Sequence, residues 1–168
     1  SELAQNSIIF ETKLGSDLVK EKDIEDKFLI KFNDKFFTTL ENYANRNKSS
    51  DDNKIIYCTD EISQSNALNL WLSNNREVIK ADPLIDAQFI PWLESQNEKY
   101  KFQRVDSEIN DDLEKDSPEI VDKDGKSNTD NIKEIITKAL NNEKVTVKVQ
   151  SLKNKNAPPA LILLPEQM

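Results

Sequence analysis

The chain has 168 residues, room for one ordinary domain or two small ones, and 32% of them are charged. A net charge of −8 argues against the basic face that nucleic acids and anionic membrane surfaces require. No histidine, one cysteine (Cys58) and two glycines (Gly15 and Gly125) remove the commonest general base, a zinc–cysteine cluster and a phosphate-cradling glycine loop.

In chain order, Ser1 to Phe32 reads as two helices. Ile8, Ile9, Leu14, Leu18 and Val19 supply the first, and Asp23 caps a second bearing Ile24, Phe28, Leu29 and Phe32. Phe36-Phe37 is a short strand. Thr38-Thr39-Leu40-Glu41 has the form of a capping box, with Thr38 as the cap of a helix through Tyr43. Lys54–Thr59 is a compact apolar strand. Ser63 is positioned to cap a helix with Ala67, Leu68, Trp71 and Leu72 on one face, and Asn74-Asn75 can end it with a left-handed residue. Glu77–Ala81 is a second strand, broken by Asp82-Pro83. Ile85, Phe89, Trp92 and Leu93 then form a helical stripe that Pro91 should kink or delay. Tyr100–Val105 is a third strand. Strand–helix–strand–helix–strand implies a small parallel sheet with right-handed crossovers.

Glu108 to Asp124 holds eight acids and two lysines and reads as a solvated linker or loop. Thr129 or Asp130 caps a further helix with the stripe Ile132, Ile135, Ile136, Ala139 and Leu140. Lys144–Gln150 alternates strictly and predicts a half-buried antiparallel strand, with Leu161–Leu164 as its partner. The predicted fold is therefore α/β: a three-layer βαβαβ unit preceded by helices and followed by a helix plus antiparallel strands. Three segments follow, 1–107, a linker at 108–128, and 129–168.

No apolar run approaches the roughly 20 residues of a membrane helix, and the start of the chain lacks the form of a signal peptide. Cys58, in an apolar strand, reads as a buried reduced thiol, which with these absences points to the cytoplasm. Asp60 follows the first parallel strand, where ligands of such sheets bind, but a loop or capping role is preferred. Asp82 and Asp86 read as strand exit and helix start. Phe89 and Trp92 fit core packing first. A kink at Pro91 would turn part of that helix outward, and exposed aromatics mark interaction sites. The chain begins at Ser1 and ends as Pro165 starts a helical turn, as in a piece cut from a longer protein.

Several segments together resemble the heat-shock protein 90 chaperone family, in its bacterial high-temperature protein G form. They are Thr39-Leu-Glu-Asn-Tyr43, Lys54-Ile-Ile-Tyr-Cys-Thr-Asp60, Asp82-Pro-Leu-Ile-Asp86 with Phe89 and Leu93, Lys101-Phe-Gln-Arg-Val-Asp106, and Lys138–Val145 followed by Pro159-Ala160. The ordered series spans about Thr38 to Met168. The resemblance implies the end of a middle domain joined to the start of a C-terminal domain. The parent would be an ATP- and magnesium-dependent homodimeric chaperone of partly folded client proteins. The N-terminal ATPase domain and the dimerisation segment would lie outside this chain, which would be monomeric, bind no cofactor or metal itself, and catalyse nothing. The family's client contacts map near Ala87-Gln88-Phe89, where relatives often carry an acid and a tryptophan. They map also near Met168, leaving Phe89, Trp92 and Met168 as client-binding candidates. The alternative is a free-standing α/β adaptor or regulatory module.

Overall fold

Compact β-branched and aromatic runs set the strands of this protein. The computed structural model describes residues 8–15, 18, 29–47, 54–96, 99–107, 127–152 and 159–164, without the Ala87 side chain. The chain divides into two compact units, one of Ser1–Ile109 with Asn156–Met168, the other of Asn110–Lys155. The expected acidic loop at 108–124, most of the predicted second helix, and Met168 lie outside the described residues.

The first unit is an α/β fold. Its elements are β1 (Phe10–Lys13), β2 (Ile30–Phe32), β3 (Lys35–Thr38), α1 (Leu40–Arg46), β4 (Lys54–Cys58), α2 (Ser65–Ser73), β5 (Val78–Lys80), α3 (Asp86–Gln96) and β6 (Lys101–Arg104). The strands form one mixed sheet in the order β2-β3-β1-β5-β4-β6. The β5-β4-β6 half is parallel, as the alternation predicts. From β4 the chain moves one way to β5, then back past β4 to β6. Right-handed crossovers then put α2 and α3 on opposite faces. Burial agrees: consecutive residues Ile55 and Ile56, like Val78 and Ile79, are all buried, so both faces of these strands are covered. Ile55 and Ile79 share one cluster with Leu40 and Tyr43 of α1 and Ile90 and Leu93 of α3.

The other half corrects the predicted helices at Phe10–Lys13 and Ile30–Phe32. Phe10–Lys13 is a strand, antiparallel to β3 through Phe10↔Thr38 and to β5 through Thr12↔Ile79. Ile30–Phe32 is also a strand, joined to β3 by a tight turn. Asn33 and Asp34, at φ 48° and 60°, adopt the left-handed pair that a two-residue hairpin needs. The helical spacing of apolar residues therefore gives way here to strand pairing.

Caps shift by one or two positions. Thr39, not Thr38, caps α1 and accepts from the Asn42 amide. Gln64 precedes α2 in place of Ser63. Asn75, at φ 57°, supplies the predicted left-handed residue after α2. The backbone of Gly15 runs against that end. A Cβ there would fall 2.5 Å from the Leu72 carbonyl oxygen and 2.7 Å from the Asn75 Cα. Helix α3 continues through Pro91.

A buried polar network joins β1, β3, α1 and β5. The Glu77 carboxylate, 1% exposed, accepts from Arg46 Nε at 3.0 Å and Nη2 at 2.8 Å, Thr12 Oγ1 at 2.9 Å and Asn47 Nδ2 at 3.1 Å. The Tyr43 hydroxyl donates to the Glu77 carbonyl and accepts from the Ile56 amide. Burial drives its pKa far above the ordinary tyrosine value.

In the second unit α4 (Asn128–Leu140) begins in a capping box between Ser127 and Asp130, upstream of the predicted caps. Its stripe of Ile132, Ile135, Ile136 and Leu140 is exposed, as is Val145. Residues 145–150 are irregular, contrary to the predicted strand. Leu161–Leu164, the expected partner, is irregular too and belongs to the first unit, where the Leu164 amide donates to the Asp106 carbonyl at 2.8 Å.

Candidate functional site

In open α/β sheets the carboxyl ends of adjacent parallel strands part where their following connections leave toward opposite faces, and ligands bind in that crevice. Here those strands are β4 and β5. A cleft of about 460 Å³ opens at this point. Thr59 past β4, and Lys80, Ala81, Asp82 and Pro83 at the exit of β5, line one side. Ile85, Asp86 and Phe89 at the start of α3 line another, and Ile8–Glu11, at the entry to antiparallel β1, close it.

Each lining segment has a local cause. The Asp82 carboxylate accepts from the amides of Leu84 and Ile85, at 2.8 and 3.1 Å, turning the chain out of β5. Asp86 accepts from the Asp82 amide and so ties the first turn of α3 to the strand exit. These are the roles expected of both acids. The turn leaves Leu84 86% and Ile85 69% exposed. Phe89 packs partly against the core cluster and stacks on Trp92, with centroids 5.5 Å apart and planes at 18°. Trp92 is 48% exposed, whereas Leu93 beside it is buried. The stripe predicted as one apolar face is thus divided: Ile90 and Leu93 fill the core, and Phe89 with Trp92 joins core to surface.

Alternating charges brace the cleft. Glu11 pairs with Lys35 at 3.0 Å and lies 3.9 Å from Lys80, which binds Glu61 at 3.1 Å. Lys13 reaches Glu61 from β1. The Lys13 ammonium beside Glu61 holds that carboxyl below its usual range, and Glu61 in turn holds the Lys80 ammonium above its own.

Asp60 does not line the cleft. Bonds from the Ser63 hydroxyl and the Ile62 amide keep its pKa low, as befits a loop-forming acid. Cys58 is a buried free thiol facing Gln64. Gln64 Oε1 accepts from the amides of Thr59 and Asp60, and its Nε2 donates to Asp106. This side-chain amide locks the carboxyl ends of β4 and β6 together. Among the described residues there is no group of three or more potential metal-ligating acids, cysteines or histidines, and no helix is long and apolar enough to cross a membrane.

Phe89, proposed from sequence, thus belongs to the cleft, and Trp92 stacks against it. Met168 lies outside the described residues. Ile8, Ile9, Phe10 and Glu11 were not anticipated because they were assigned to a helix. The run Ile8-Ile9-Phe10, β-branched and aromatic, carried the available strand signal. The chain matches no family model, no curated protein and no solved structure.

Proposed function

We propose that this chain is the interaction segment of an ATP-dependent chaperone of the heat-shock protein 90 type. It takes up apolar segments of partly folded proteins at the β4–β5 cleft and performs no catalysis of its own. The observation that carries this reading is the cleft with its apolar floor, opening beside Trp92, Leu84 and Ile85, large apolar side chains left about half or more exposed. Such side chains gathered at a concave site are what an apolar partner segment buries. The order of the family-like segments, from Thr39-Leu-Glu-Asn-Tyr43 to Pro159-Ala160, supports assigning the cleft to that family's client-handling portion. ATP hydrolysis would belong to another part of the parent protein.

The test is binding of the purified chain to a permanently unfolded model protein, followed by fluorescence anisotropy. Trp92→Ala and Ile85→Ser are expected to weaken binding about tenfold, the effect of losing a well-placed aromatic or aliphatic anchor. Unchanged binding in both variants would overturn the assignment of the cleft.

A further inference from the structure

The floor and the rim of the cleft differ in character. Ile8, Ile9, Ile85 and Phe89 give it apolar walls, while Asp82 and Asp86 lie along its edge. The other two charged lining residues are ion-paired, Glu11 with Lys35 and Lys80 with Glu61, a carboxylate that Lys13 shares. Among the described residues Asp82 and Asp86 have no cationic partner. Their backbone hydrogen bonds fix them in position, and an amide donor leaves a carboxylate its formal charge. The cleft therefore offers an apolar trough with two anchored carboxylates on its lip that form no ion pair among the described residues.

We propose that the cleft selects, among apolar protein segments, those flanked by lysine or arginine. This inference rests on the reading of the cleft as a site for partly folded proteins and adds the chemistry of the preferred segment. A cation beside the bound apolar core meets Asp82 or Asp86 at the rim, where an exposed pair changes affinity by a factor of about two to five. An acidic flank meets like charge there and is disfavoured. The net charge of −8 adds steering of basic segments, which falls with added salt.

The experiment uses three fluorescein-labelled peptides with one apolar core, flanked by lysines, serines or glutamates, titrated with the chain and with Asp82→Asn/Asp86→Asn. Asparagine keeps an oxygen for the Leu84, Ile85 and Asp82 amides, and a thermal melt confirms that the variant folds. The expected order is lysine tighter than serine tighter than glutamate, spanning about tenfold at low salt and collapsing to about twofold or less in the variant. Equal binding of all three peptides would overturn the charge selection and leave the apolar cleft standing. The same spread in the variant would also overturn it, assigning the preference to overall charge. If neither the peptides nor the unfolded model protein binds, the underlying reading fails as well.

Discussion

Arg46→Ala tests the polar network under the sheet most directly. It removes both guanidinium bonds to Glu77, at 3.0 and 2.8 Å, together with the 2.5 Å bond from Arg46 to Thr38. Thr12 and Asn47 still donate to Glu77, but the carboxylate, 1% exposed, loses its opposite charge. Each charge-assisted bond contributes about 1.5–3 kcal/mol. A buried charge stripped of its partner costs about 3–5 kcal/mol, a large share of the roughly 5–15 kcal/mol that holds a domain together. We expect Arg46→Ala to lower the urea midpoint by an amount equivalent to about 3–5 kcal/mol at unchanged slope, followed by far-UV circular dichroism. Arg46→Met/Glu77→Leu should recover most of that loss, because it removes both charges together. A cost below about 1 kcal/mol for Arg46→Ala, the scale of an exposed ion pair, would refute the reasoning.

Leu93→Ala, in the core, is expected to cost about 2–5 kcal/mol of unfolding free energy. Trp92→Ala, next to it in sequence, loses the stacking on Phe89, about 0.5–1.5 kcal/mol, plus the apolar area of a half-exposed ring, and should cost less than Leu93→Ala; the reverse order in urea titrations would contradict the division of α3. Gly15→Ala forces a Cβ onto the Leu72 carbonyl and the Asn75 backbone and should destabilise by about 1–3 kcal/mol; a neutral result in thermal melts would show that this contact relaxes freely. Burial pushes the Cys58 thiol up from 9.0 to about 11. Its neutral form therefore adds stability that is complete below pH 9.0 and lost as the pH rises through about 11. The stability difference between wild type and Cys58→Ala should shrink over that range, and a constant difference would argue against it.

The parallel half of the sheet was legible because each of its strands is a short apolar run bounded by breakers, and each connecting helix shows an apolar stripe. Lys54–Cys58 and Ser65–Ser73 match their predicted positions closely. The antiparallel half was misread at Ile30–Phe32 because Leu29 and Phe32 also suit a helical spacing. Spacing alone could not reveal that Ile30–Phe32 pairs with Lys35–Thr38. Phe32-Asn-Asp-Lys35 was the local clue, since asparagine and aspartate tolerate the left-handed turn. The alternation at Lys144–Gln150 fails for a different reason. Alternation fixes which side chains share a face but supplies no neighbouring backbone, and a strand exists only where its amides and carbonyls find one. The cleft was half legible. Asp82, Asp86 and Phe89 were singled out, whereas its other wall depends on β1 meeting β5 far along the chain.

That meeting sets an order of events. β1 is one of the two central strands, yet the Thr12 hydroxyl bonds the Val78 carbonyl 66 positions downstream. A ribosome adding about 5–20 residues per second delivers β1 several seconds before β5 exists to receive it. The nascent strand can pair with β3 once Lys35–Thr38 emerges, but its other backbone edge must stay open until β5 is delivered. Pulse-labelled hydrogen exchange during refolding should protect the Thr12 amide in the same late step as that of Ile79, and earlier protection of Thr12 alone would contradict this order.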